Sequence, residues 1–342
     1  MPENKPIMLM PAAHQQLMFT SEMRSAPVLS IAIPTYKRFG LLKETLASVF
    51  ALEFSIPVEI LIVDNDPEQP ELAMAEMAEF QGKNIAYYKN HENLGMFGNW
   101  NQCLSLAKGK YITLLHDDDI LLLDFSRQMN TLLKQGSLDH EIVSFSVGCW
   151  DLRDDRPEKN GWNLSGFKKA LKKSLPNASP ETKGVAELFF YNPFCGTLGI
   201  VMNRRLALSL QGFDKDWYPI ADYEFWCRWV CQIGPIPFIR KPAGRYRIQQ
   251  NESLRLDVRQ GFVSGSTALR QRMIVQHGVP PWFSRLVGVV AWFQEKAINL
   301  DWRTHNEPDP VFFRLVGLRL WYKAVSGLCF FLRKTQSERR IS

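Results

Sequence analysis

Two apolar runs of strand length, each stopping at aspartate, constrain this chain more than any other feature. Val58-Glu-Ile-Leu-Ile-Val63 runs into Asp64-Asn65-Asp66, and Lys110-Tyr-Ile-Thr-Leu-Leu115 runs through His116 into Asp117, Asp118 and Asp119. The first run is almost continuously apolar, the pattern of a strand buried on both faces. Around these runs the period changes. Leu41, Leu42, Thr45, Leu46, Val49 and Phe50 share one stripe of a helix opening at Gly40, and an Ala-, Glu- and Met-rich helix covers about 71–80. Ile85-Ala-Tyr-Tyr88 reads as a strand, Asn93-Leu-Gly95 as a turn, and 97–107 as a helix stopped by Gly109. With Val28-Leu-Ser-Ile-Ala-Ile33 in front, strand and helix alternate at a spacing that predicts an α/β fold, a mostly parallel sheet covered by helices. The polar ends of its strands then share one edge, where open α/β sheets bind ligands.

The chemistry of that edge follows from its donors. An isolated acidic triplet reads as a solvated turn capping the next helix, but carboxylates gathered from two strand ends form an oxygen-rich set. Such a set suits a hard divalent cation, Mg²⁺ or Mn²⁺, that takes its remaining ligands from phosphate and water. Further on, Phe225, Trp226 and Trp229 make a core-facing helical stripe with Asp222 near its start, where a carboxylate also suits a helix N-terminus. No G-x-G-x-x-G follows the first strand, which excludes a dinucleotide dehydrogenase of the usual kind. Pro34-Thr-Tyr-Lys-Arg38 stands where a nucleotidyltransferase needs a Gly-rich triphosphate loop.

Composition bears on compartment and partners. The net charge is +6, and from Val311 to Ser342 seven Lys/Arg face one acid, Glu338, so the excess belongs largely to the tail. A helix over about 311–334 gathers Arg319, Lys323, Arg333 and Lys334 in one sector, beside Phe and Trp, and predicts an anchor on an anionic membrane surface. No nucleic-acid module accompanies it, so nucleic acid is not an expected partner. Six scattered cysteines without a C-x-x-C pair read as reduced thiols in a cytoplasmic setting, and no stretch reaches transmembrane length. Residues 1–26 read as a mobile arm and 151–183 as a polar, flexible insertion.

Taken in order, Ser30-Ile-Ala-Ile-Pro-Thr-Tyr-Lys-Arg38, Ile62-Val-Asp-Asn65, Asn93-Leu-Gly95 with Asn99 and Asn101, Gly109 to Asp119, and Ala221-Asp-Tyr-Glu-Phe-Trp226 resemble the family 2 glycosyltransferases of the GT-A fold. The resemblance covers about residues 28–255 and implies an inverting enzyme that uses a nucleotide-diphosphate sugar, UDP-sugar first. It implies that Pro34, Thr35 and Tyr36 line the base pocket, that Asp64 accepts the base N–H, and that Asp117 lies near the ribose. Asp118, with Asp119, would hold the divalent metal, and Asp222, or else Glu224, would serve as base. The family's first acid of the strand-end motif is His116 here, with a structural hydrogen-bonding part as the favoured reading. In Gly244-Arg-Tyr-Arg-Ile-Gln-Gln-Asn-Glu-Ser253 a Gln, Gln249, replaces the family's histidine, leaving Arg245 and Arg247 as diphosphate contacts. The expected organisation is a GT-A domain over 27–255 and a C-terminal helical, membrane-associating region over 256–342. The acceptor would be a glycan or lipid-linked saccharide of a bacterial surface polysaccharide, met on the inner face of the cytoplasmic membrane. The alternative is a catalytically degenerate GT-A protein acting as a glycan- or membrane-binding module.

Overall fold

A computed structural model of the chain describes residues 15–20, 25–134, 138, 140–153, 181–249, 251–277 and 279–301. Its strands are β1 (Gln15–Thr20), β2 (Leu29–Thr35), β3 (Val58–Asp64), β4 (Ile85–Asn90), β5 (Tyr111–Leu114), β6 (Ile120–Leu121), β7 (Ile142–Asp151), β8 (Glu181–Lys183), β9 (Ile200–Asn203) and β10 (Ile236–Ile248). Its α-helices are α1 (Phe39–Phe50), α2 (Pro70–Glu76), α3 (Gly95–Leu106), α4 (Leu123–Leu133), α5 (Val185–Phe190), α6 (Arg204–Ser209), α7 (Ala221–Gln232), α8 (Leu256–Gln276) and α9 (Ser284–Asp301). Contacts divide the chain into two units, 1–150 with 194–247 and 151–193 with 248–342, a partition different from the division at 255.

In the first unit one sheet runs in the order β1-β4-β3-β2-β5-β9-β7-β10-β6. The expected parallel core is there: β2 lies parallel to β3 and to β5, and β3 parallel to β4. Every residue of β2 is buried, as both faces of such a sheet require. Leu42, Thr45, Leu46 and Val49 turn the buried stripe of α1 inward, and α3 buries Phe97, Trp100, Cys103 and Leu104. The flank is different. β9 is antiparallel to both β5 and β7, and β6 is antiparallel to β10. β1 also extends the sheet, pairing antiparallel with β4, so residues 15–20 are a strand and not part of a loose arm.

Register does the positioning. Thr35 is aligned with Asp64 across β2 and β3, and Ala32 with Leu114 across β2 and β5. Three residues beyond Ala32 and Leu114 come Thr35 and Asp117, so the predicted shared edge is met by Thr35, Asp64 and Asp117 together. Gly109 makes this register attainable: a Cβ there would lie 2.6 Å from the Ser30 main-chain nitrogen.

In the second unit, the fully buried Arg270 of α8 donates from Nε to the carbonyl of Phe189 at 2.7 Å, and Phe189 packs edge-on against Phe283 at 4.7 Å. The helices α8 and α9 supply the expected C-terminal helical appendage, and Gln294 ties them by a 3.0 Å bond to Ser266. Among the described residues no helix is long and apolar enough to cross a membrane. The basic helix expected at 311–334, most of the 151–183 insertion and the start of the N-terminal arm lie outside the described residues.

Candidate active site

Asp117 is fully buried and doubly held. Thr35 Oγ1 donates to its Oδ2 at 2.7 Å, and Arg38 reaches it through Nε at 3.3 Å and through Nη2 to Oδ1. Burial pushes its carboxyl up to about 6, against the pull of Arg38. Arg38 also pairs with Asp118, Nη1 to Oδ2 at 3.0 Å. Arg38 had no assigned role in the motif reading, although a basic pair directly after a strand end beside an acidic triplet is a legible signal.

Asp119 is held from across the sheet. The main-chain N–H of Arg247, on β10, donates to its Oδ1 at 3.0 Å, and Arg247 Nε donates to the Asp118 carbonyl at 2.8 Å. The rest of that guanidinium is committed to Glu44 at 2.6 Å and lies over the Trp150 ring at 4.7 Å. Arg247 is therefore buried and shapes the acidic loop, which corrects its expected part as a diphosphate contact. Arg245, two residues earlier and paired in register with Ile120, is exposed. The second oxygen of Asp119, Oδ2, is buried without a hydrogen-bond partner, an arrangement that a buried carboxylate does not tolerate unaided. Burial first, and then the charge of Asp118, raise the Asp119 carboxyl well above its ordinary value. One ligand atom each from His116, Asp118 and Asp119 lie within 4.8 Å of one another. These donors fit a divalent cation.

Asp64 has taken a different set of partners from the expected base N–H. Tyr87 and Lys89 each donate to its Oδ2 at 3.0 Å, and the Asp66 N–H donates to Oδ1 at 3.0 Å. Lys89 is itself buried, so the pair is an internal one between β3 and β4. Beside it an amide network fixes the following loop. Asn65 accepts from Asn90 and from the Leu94 N–H, both at 3.0 Å, and donates to Asn93 at 2.7 Å. Asn99 on α3 donates to the Val63 carbonyl at 3.0 Å. Pro34 and Thr35 are buried at the end of β2, and Tyr36 follows them 42% exposed, with Lys37 5.4 Å from its ring centroid.

The two base candidates lie on the first turn of α7. Glu224 is engaged by Arg228 one turn on, which donates from Nε at 2.8 and 2.9 Å and continues from Nη2 to the Gly212 carbonyl at 2.7 Å. Both side chains are buried. Asp222 is half-buried in the first turn of α7. Its helix is tied towards the acidic loop by residues 195–197: Trp226, one turn after Asp222, donates to the Gly196 carbonyl at 3.1 Å, and Thr197 lies 3.2 Å from His116. Burial, followed by the charges of Asp119, Cys149 and Asp222, pushes the Cys195 thiol well up. Asn101 of α3 clasps the approach to α7, donating to the Phe213 carbonyl at 2.8 Å and accepting its N–H at 2.7 Å.

A parallel α/β core, a mixed flank and carboxylates at the strand ends define the GT-A class of fold. Residues 30–194 match the family model described as glycosyl transferase family 2. Over those residues the chain is similar to that family. It is 26% identical over 206 residues to the uncharacterized protein MT1568 of Mycobacterium tuberculosis, a match covering 59% of this chain and 61% of that one. The chain thus spans less than two thirds of the length of this curated relative. Among solved structures, the mannosyltransferase PcManGT from Pyrobaculum calidifontis in complex with GDP-Man and Mn²⁺ superposes with TM-score 0.52 at 16% identity, covering 90% of this chain and 84% of that one. TarS of S. aureus in complex with UDP superposes with TM-score 0.50 at 14% identity, covering 80% and 70%.

Proposed function

We propose that this chain is an inverting glycosyltransferase that moves a sugar from a nucleotide-diphosphate donor, UDP-sugar first, to a hydroxyl of a glycan or lipid-linked saccharide. One observation carries the reading: Thr35, Asp117, Asp118 and Asp119 meet at the edge of a family 2 fold, with an unpartnered buried carboxylate oxygen among them. Tyr36 offers an exposed ring for the base to stack on, above Pro34 and Thr35. The internal ion pair of Asp64 with Lys89 supports a part for Asp64 in holding the shape of the base pocket, its Oδ1 already taken by a main-chain N–H. Asp117 bonds Thr35 and so sets the floor beside the ribose. Asp118 and Asp119 are the residues that would hold a divalent cation, Mg²⁺ or Mn²⁺. Such a cation offsets the negative charge that develops on a departing nucleoside diphosphate. Arg245, exposed beside β6, is the remaining diphosphate contact.

Inversion by a single displacement requires one base to take the proton of the attacking hydroxyl. Asp222 fills that role, because Glu224 is engaged by Arg228. The acceptor class, a bacterial surface polysaccharide, and attachment to the inner face of the cytoplasmic membrane through the C-terminal region, 256–342, belong to the same proposal. The basic, aromatic composition of that tail supports the attachment.

A thermal-shift panel of UDP, GDP, dTDP and CDP, each with and without Mn²⁺, tests the reading on wild type and Asp118→Ala. A ligand that binds only the folded chain raises its melting temperature in proportion to ln(1 + [L]/Kd). The expected result is one nucleotide that stabilises wild type only with Mn²⁺, an effect abolished in Asp118→Ala. If no nucleotide stabilises the chain under either condition, the transferase reading gives way to a glycan- or membrane-binding module.

A further inference from the structure

His116 stands where the family's strand-end motif carries its first acid, and its surroundings define which of its nitrogens carries hydrogen. The ring stacks on Trp100 at 4.9 Å with 27° between planes, which fixes its orientation. Its Nε2 lies 3.2 Å from Thr197 Oγ1, and the same hydroxyl lies 3.2 Å from the Leu114 carbonyl. A carbonyl only accepts, so the single hydroxyl hydrogen of Thr197 goes to Leu114. The hydroxyl oxygen must then accept from Nε2–H, and in the neutral ring Nδ1 is left with a lone pair.

That lone pair faces Asp119 Oδ2 at 3.7 Å. Oδ2 is the oxygen without a partner, while Oδ1 of the same carboxylate is pinned by the Arg247 N–H at 3.0 Å. A carboxylate Oδ2 and the Nδ1 lone pair are both acceptors, and side by side at 3.7 Å they call for something positive between them. A shared proton is too small, since a hydrogen bond between such atoms closes to about 2.5–3.0 Å. A metal ion fits, because two donors each about 2.1 Å from one ion lie roughly 3–4 Å apart. Asp118 completes the cluster within 4.8 Å, a convergence that a proton shared by two groups does not explain.

We propose that His116 is a nitrogen ligand to the cation held by Asp118 and Asp119, through Nδ1, giving the site a mixed N,O,O donor set. The proposal rests on the transferase reading for the presence of the cation and goes beyond it in assigning the imidazole. It carries a selectivity. A nitrogen donor favours transition ions, with Co²⁺ above Mn²⁺, over the oxygen-seeking Mg²⁺.

The test is pulsed EPR of Mn²⁺ bound to the full chain, alone and with UDP, beside Mn²⁺ and Mg²⁺ affinities by competition. Wild type is expected to show imidazole-nitrogen coupling to Mn²⁺. His116→Gln should lose that coupling and weaken Mn²⁺ binding about tenfold with little change for Mg²⁺. His116→Asp should bind Mn²⁺ with an oxygen-only signal and shift preference towards Mg²⁺. Mn²⁺ bound to wild type without nitrogen coupling, or coupling that persists in both variants, overturns the assignment of His116 while leaving the transferase reading intact. Absence of any Mn²⁺ binding, with or without UDP, overturns both.

Discussion

Replacing Arg228 by methionine removes the guanidinium that neutralises Glu224, a side chain only 1% exposed. It also takes away the donors that satisfy the Leu210 and Gly212 carbonyls. Removing one partner of a buried ion pair costs about 3–5 kcal/mol, because the other charge stays behind in a place that cannot solvate it. For a chain of this size that corresponds to a melting temperature lower by roughly 4–7 °C. The double variant Glu224→Leu with Arg228→Met removes both charges and leaves only the two carbonyls short of donors, about 1–3 kcal/mol. The double variant is therefore expected to melt higher than the single one. Thermal melts of wild type, both singles and the double, with donor hydrolysis measured in parallel, check this. Glu224→Gln should lose stability, and its hydrolysis, measured well below its melting point, should persist. If Glu224→Gln melts like wild type and yet loses all turnover, Glu224 is the base and the assignment of Asp222 is wrong.

Other outcomes follow from the same geometry. Because burial raises Asp117 to about 6 from an ordinary 3.8, the folded chain retains a proton that the unfolded chain has released. Its contribution is complete below about pH 4 and lost as pH rises past about 6, roughly 3 kcal/mol in all. Urea titrations of metal-free protein should show wild type losing stability relative to Asp117→Asn across that window, and the opposite sign refutes the account. Arg38 and a cation compete for Asp118, so Arg38→Met should tighten Mn²⁺ binding to nucleotide-free protein about fivefold, the ~1 kcal/mol of a half-exposed pair. Calorimetry showing unchanged or weaker binding removes Arg38 as a competitor. Asn101→Ala forfeits both bonds to the Phe213 main chain and should cost about 2–3 kcal/mol in denaturant melts. Gly212→Ala should cost a similar amount, since its backbone has φ +66° and a Cβ would collide with Asn101 Oδ1.

What the sequence makes legible here is whatever depends on local period and strand order. Runs ending in Asp64 and Asp117 imply a common edge once the strands are parallel, and the register of Thr35 with Asp64 bears that out. The α7 stripe of Phe225, Trp226 and Trp229 is likewise buried as its spacing predicts. The antiparallel flank is not legible, because β9 and β10 are joined to it by long connections whose direction no short pattern encodes. The Gln15–Thr20 strand escapes for a similar reason: its half-buried edge position against β4 asks for little hydrophobicity. The same limit explains Arg247. It acts on Asp118 and Asp119 across 128 or more residues of chain, and only the β10 pairing shows that its guanidinium turns inward. Sequence sets Asp222 ahead of Glu224 only through the family resemblance, and the engagement of Glu224 by Arg228, one turn further, is seen only in the fold.

The helix α3 has a consequence for how such a protein can diversify. Its first turns are stitched by Asn99 to the end of β3, and its middle, through Asn101, grips the chain just ahead of α7. A single twelve-residue rod thus sets the spacing between the end of β3 and the helix bearing Asp222. Drift in either wall is referred to a common ruler, so substitutions that reshape what is bound can accumulate on both sides without changing the gap across which atoms must meet.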